Sequence, residues 1–179
     1  NRPRFLDIPE AVAGSVPLGY YAATGKIAAS ISTTGGATLY GLIGAGSAKA
    51  HDIPALYIIA VNAKDTHGKG PLQDMTEFGL NSISAVKSIF GEGCIVIEDI
   101  SKLEENLHSV QKRLHESKPA ILMFYPDILS KPCEDFHISW QRKERKVNED
   151  DLEKFLSEFP EEIKGKKLEE GPRSGRGQK

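Results

Sequence analysis

An α/β domain with a parallel sheet and helices on both faces is the fold class this sequence predicts. Three observations lead there. Strand-like and helix-like segments alternate along the first 125 residues. Residues 55–61 read Ala-Leu-Tyr-Ile-Ile-Ala-Val, a continuous apolar run of the kind carried by a strand covered on both faces. Residues 101–117 place Leu103, Leu107, Val110 and Leu114 on one helical stripe.

The elements follow in order. Residues 4–8 form a short strand candidate. Residues 9–24 read as a helix of small residues, stopped by the turn Thr24-Gly25-Lys26. Pro17 falls inside that helix, where it costs about 3 kcal/mol, so a kink or a displaced helix start is expected. Residues 27–32 are a buried strand and residues 33–38 a turn. Residues 39–50 make a second small-residue helix. After the strand at 55–61, residues 62–71 form a polar, glycine-containing loop. Residues 72–89 are predicted helical, weakened by Gly79. Residues 94–97 are a strand. Ser101 and Glu104 form a capping box for the helix at 101–117. Residues 120–125 close the sheet, and Pro126 ends the strand.

Beyond residue 132 the texture changes. Residues 134–179 carry 12 acidic and 11 basic residues, close to half of the charges in the chain. Two regions are therefore expected: a domain over residues 1–132 and a charged extension over 133–179. In the extension, residues 148–159 suit a short amphipathic helix capped by Asn148. Residues 165–179 suit a disordered tail.

Bulk properties exclude several classes. A net charge of -2 gives no electrostatic reason to expect nucleic acid. No apolar stretch approaches the ~20 residues of a membrane span, and no signal-peptide pattern is present. Cys94 and Cys133 are far apart and form no CxxC pair, as in a reducing, cytoplasmic setting without structural zinc. Neither a Walker motif nor GxGxxG occurs, which argues against a nucleotide-binding module.

The residues that carry chemistry start at Glu10. Its neighbours Ile8, Pro9, Ala11, Val12 and Ala13 are apolar, so a pocket there would be dry. A carboxyl in such a place has a raised pKa and can share a proton with a ring nitrogen. Alone, a glutamate at a helix start does no more than interact with the helix dipole. The small residues Thr34, Gly35, Gly36 and Ala37 allow a backbone to approach a flat ring. His67, in the loop Asp65-Thr66-His67-Gly68-Lys69-Gly70, is the imidazole best placed for proton transfer. His51, His108, His115 and His137 read as structural or solvated.

Glu10, Gly19-Tyr20, Ala23-Thr24-Gly25-Lys26, Thr34-Gly35-Gly36-Ala37, His51-Asp52-Ile53-Pro54 and Gln73 stand in one ungapped register. In that register the chain resembles the pyrimidine-binding (Pyr) domain of thiamine diphosphate enzymes, closest to the large subunit of acetolactate synthases, over roughly residues 5–132. The resemblance implies a Pyr-domain fold and a cytoplasmic, oligomeric enzyme that decarboxylates or ligates 2-oxo acids. It implies that Glu10 protonates the cofactor's aminopyrimidine ring, that Thr34, Gly35, Gly36 and Ala37 pack near that ring, and that Gln73, with His67, lies on the substrate side. The family binds the diphosphate and Mg²⁺ through a Gly-Asp-Gly motif on a second domain, and this sequence has none. The resemblance therefore implies a fragment or split subunit, completed by a diphosphate-binding domain on another chain or missing segment. Pro17, Tyr40 (where the family has Asn) and the charged tail favour an alternative: a non-catalytic relic of the fold that acts as a binding protein.

Overall fold

Four parallel strands form the core of the computed structural model, in the order β1-β2-β4-β3. The structure describes residues 4–132, together with Lys154 and Ser157. The strands are β1 (Ala29–Ser32), β2 (Leu56–Ala60), β3 (Cys94–Ile97) and β4 (Ala120–Phe124). The helices are α1 (Glu10–Ala13), α2 (Val16–Thr24), α3 (Gly36–Ala50), α4 (Ser82–Phe90), α5 (Leu103–His115) and the short α6 (Pro126–Leu129). The α/β class expected from the alternation of elements is thus present, with a wholly parallel sheet.

Strand order places the helices. The β1-α3-β2 and β2-α4-β3 connections step in one direction across the sheet, and β3-α5-β4 steps back. Right-handed crossovers then put α3 and α4 on one face and α5 on the other. Across the sheet, Ser30, Tyr57, Ile121 and Cys94 share one register line. Tyr57, Ile59, Ile121 and Met123 are almost fully buried on the α3 side. Among the described residues, the opposite face is covered over β3 and β4 only. Ile31 is 57% exposed there, and Leu56 and Ile58 are half-buried. The apolar run of β2 therefore has one well-covered face, not the two expected.

The small-residue helix predicted for 9–24 is two helices. The chain breaks at Gly14 and Ser15, and Pro17 becomes the second residue of α2. The first turn of a helix tolerates proline because its N–H has no intrahelical partner. At the other end, Gly25 adopts φ 65° and its N–H donates to the Tyr21 carbonyl, so the Thr24-Gly25-Lys26 stop is present. The break at Gly14 lies where α1 crosses α3. A Cβ on Gly14 would stand 2.5 Å from the Tyr40 carbonyl oxygen, and a Cβ on Gly44 would collide with the Gly14 carbonyl. That carbonyl accepts a 3.0 Å hydrogen bond from the buried Tyr57 hydroxyl. Small residues thus let backbone meet backbone, and the sheet supplies the freed carbonyl's partner.

Other expectations shift. Residues 4–8 form no strand, and of the helix predicted over 72–89 only α4 is helical. Asp74 accepts from both the backbone N–H and the hydroxyl of Thr76, holding a turn in place of a helix. Gly79 lies against the Asp74 carbonyl, and Asn81 (φ 51°) caps α4 by accepting from the Ser84 N–H. Ahead of α5, Asp99 accepts from the Ser101 N–H at 3.0 Å and caps the single turn Ile100–Lys102, while α5 itself starts after Lys102 without a side-chain cap, so the predicted box of Ser101 with Glu104 is not formed. The chain divides into two compact units, Asn1–Arg142 and Lys143–Lys179. In the second, Lys154 and Ser157 are helical, and the Ser157 hydroxyl donates to the Lys154 carbonyl at 2.7 Å. The rest of the 148–159 helix, the tail and Cys133 lie outside the described residues. Among the described residues no helix is long and apolar enough to cross a membrane.

Gly44→Ala forces α1 away from α3 and is expected to cost about 1–3 kcal/mol in urea denaturation. Gly46→Ala, two residues on but with open space around it, is expected to stabilise by up to about 1 kcal/mol. Burial pushes the Tyr57 hydroxyl from 10.0 up to about 12 and the Cys94 thiol from 9.0 up to about 11. Both hold their protons more tightly folded than unfolded. Their contribution to stability is therefore complete below about pH 9 and is lost as pH rises through 11 and 12. Denaturation at pH 8 and at pH 11 should show this fall, and Tyr57→Phe should flatten its upper part.

Candidate functional site

The carboxyl ends of parallel strands are where an open α/β sheet offers a crevice. Connections leaving β2 and β3 turn to opposite faces, so the crevice opens over the end of β4. Tyr125 stands at that end. Asn62, Lys64 and His67 follow β2, Thr34 and Gly35 follow β1, and the 72–81 turn supplies Gln73, Met75, Thr76 and Glu77.

Asn62 ties these pieces together. It is buried, and its Oδ1 accepts from the Met75 backbone N–H at 2.9 Å and from the Thr34 hydroxyl at 3.3 Å. One amide oxygen therefore fastens the turn after β1 to the loop after β2 and to the 72–81 turn. Gly35 sits beneath that turn with φ 90°, and a Cβ there would collide with the Gln73 side chain. Gln73 itself adopts φ 57°, an uncommon conformation for a residue with a side chain.

His67 and Glu77 form the ionisable pair of the site. His67 Nδ1 lies 2.9 Å from one carboxylate oxygen of Glu77 and 3.2 Å from the other. The Glu77 carboxyl is held below its usual range, first by a backbone hydrogen bond at Glu77 and further by His67, while partial desolvation opposes them. The His67 ring lies 6.0 Å from the Tyr125 ring, centroid to centroid. Lys64 Nζ sits 4.7 Å over Tyr125 and 3.6 Å from Glu98. The Tyr125 hydroxyl is pushed up, first by burial and then by the nearby Glu98, Glu77 and Asp127 carboxylates.

Asn62, His67, Thr76, Glu77 and Tyr125 line a cavity of about 30 Å³. That volume suits a water molecule and not an organic ligand. Beside it, an open cleft of about 540 Å³ is lined by Lys64, Glu98, Asp99, Lys102 and Glu105 among others. Its charges are of both signs, so it shows no preference for an anion.

The residues singled out in the sequence are distributed as follows. Thr34, Gly35, Gln73 and His67 gather at the crevice. Gly36 opens α3 with nothing within 4 Å of a Cβ, whereas Ala37 is buried in the core. Glu10 starts α1 exposed to solvent. Its side chain makes no hydrogen bond or ion pair among the described residues, and those residues do not form the dry pocket expected around it. Sequence reasoning missed Asn62, Glu77 and Tyr125. Asn62 carried a usable signal: it is the first polar residue after the apolar run of β2. Glu77 had none, since it meets His67 across ten residues of irregular chain.

No family model and no curated protein matches this chain.

Asn62→Ala removes the shared acceptor and leaves the buried Met75 N–H without its partner. It is expected to cost about 1–3 kcal/mol by urea denaturation and to loosen the 72–81 turn in amide exchange.

Proposed function

We propose that this chain is the pyrimidine-binding half of a thiamine diphosphate-dependent, acetolactate synthase-like enzyme that decarboxylates or ligates 2-oxo acids. A diphosphate-binding domain on another chain or segment completes it. One observation carries this reading: the turn Thr34-Gly35-Gly36 and Gln73 meet at the carboxyl edge of a parallel sheet, beside a cavity too small for a ligand. That is the arrangement expected of half a site.

The residues fit the cofactor in part. The open backbone at Gly36 leaves room for a flat ring, and the Glu10 carboxyl is exposed at the start of α1. The space above Gly35 is filled by Gln73. Thiamine diphosphate, if held there, would supply carbon-nucleophile chemistry toward a 2-oxo acid. In the completed enzyme, Glu10 would share a proton with the cofactor's ring nitrogen, Gly36 would admit the ring, and Gln73 and His67 would present polar groups on the substrate side. Mg²⁺ is assigned to the completing domain.

A second reading is a non-catalytic relic of the fold that serves as a binding protein. It is favoured by the Gln73 side chain over Gly35 and by Tyr40, 43% exposed on α3.

Titration calorimetry with thiamine diphosphate and Mg²⁺ separates the two. The first reading expects no heat from the chain alone and saturable heat once a chain bearing Gly-Asp-Gly is added. In that complex, Glu10→Gln should lower 2-oxo acid turnover by at least about 10²-fold. Absence of heat with every candidate partner favours the relic.

A further inference from the structure

We propose that Glu77 is a positioning residue for His67, fixing the neutral imidazole as its Nδ1–H tautomer so that Nε2 serves as the proton acceptor of the crevice. The inference deepens the substrate-side role of His67 and rests on that reading for its catalytic meaning. Its structural content stands independently.

Geometry carries it. An ionised carboxylate can only accept, so the nitrogen facing it must bear the hydrogen. Nδ1 faces both oxygens of Glu77, at 2.9 and 3.2 Å. In the neutral ring the lone pair then falls on Nε2, the nitrogen Glu77 does not engage. A carboxylate that sets the tautomer and raises the basicity of the opposite nitrogen is a recurrent device for making imidazole a base or ligand.

The surroundings hold the arrangement. His67 is half-buried and lines the small cavity with Asn62, Thr76 and Tyr125, whereas Glu77 lies at the rim. Lys64 is directed over Tyr125 and toward Glu98, so Glu98 engages a different cation from the one Glu77 engages. A donor of hydroxyl or N–H type entering the crevice would find an acceptor nitrogen already oriented. The chemical class that fits is therefore a small neutral or weakly acidic hydroxyl or N–H donor, water included.

Long-range proton–nitrogen NMR on the full chain tests this without cofactor, partner or activity. At alkaline pH, where the ring is neutral, wild-type protein should show the Nδ1–H pattern. Glu77→Ala should move the ring toward Nε2–H, with about a fivefold change in tautomer ratio, the modest size reflecting the exposed rim position of Glu77. Glu77→Gln, which keeps a carbonyl acceptor, should restore most of the Nδ1–H form. Far-UV circular dichroism should stay unchanged in both. An Nε2–H ring in the wild type, or an identical ratio in Glu77→Ala, overturns the proposal. A correct tautomer in a chain that binds no thiamine diphosphate with any partner would overturn the enzymatic reading and leave the positioning role standing.

Discussion

Contact between the backbones of α1 and α3 is the constraint on which the rest of the domain depends. Gly14 and Gly44 let the two helices approach until carbonyl meets Cα, and any side chain at either position would separate them. The same Gly14 carbonyl takes the hydroxyl of Tyr57, a residue almost fully buried in the central strand β2. The crossing is thereby fastened to the sheet. It also fixes where the chain leaves α1, and Pro17 begins the next helix at the point where a missing N–H costs least. What reads in the sequence as a defect in one long helix is the start of a second.

The crevice depends on a similar economy of groups. Asn62 uses one oxygen to hold two segments, Thr34 and Met75, that lie far apart in the chain. A buried amide with two donors on one oxygen resists displacement, because each donor would lose its only described partner. Around that fixed point the site is charged but balanced: His67 faces Glu77, and Lys64 faces Glu98. The result is an orienting environment more than an attracting one.

Much of this was legible in the sequence, and the reasons differ by element. The sheet was legible because β2, β3 and β4 are apolar runs that burial demands. The amphipathic α5 was legible because its stripe repeats at helical spacing. The residues at 72–81 were not. A helix was expected over 72–89, yet at its start Leu72 is 91% exposed and Phe78 68% exposed. Short side chains decide this stretch: Asp74 bonds Thr76 locally, and Gln73 and Asn81 take left-handed conformations. Such competition between side chain and backbone leaves no periodic trace. Thr34, Gly35, Gln73 and His67, which the structure brings to the crevice, were singled out in the sequence, but the groups that fasten them, Asn62 and Glu77, follow only from tertiary contact.

The exposure of Glu10 does not by itself separate the proposed half-enzyme from an inert relic. A carboxyl shares a proton with a ring nitrogen only where water is excluded. The described residues leave Glu10 open to water, so its exposure is compatible with either reading before a partner docks. Gln73 discriminates better. Its side chain fills the space over Gly35 while its own backbone sits at φ 57°. A left-handed glutamine is retained only where the surroundings over-determine it. In a half-enzyme that conformation has a use, because rotation of the side chain would open the face of Gly35 beside the free backbone of Gly36. In a relic the filled space is the end state. At Gly35 the two readings thus differ in a single rotamer of Gln73, and the energy to move it must come from whatever binds there.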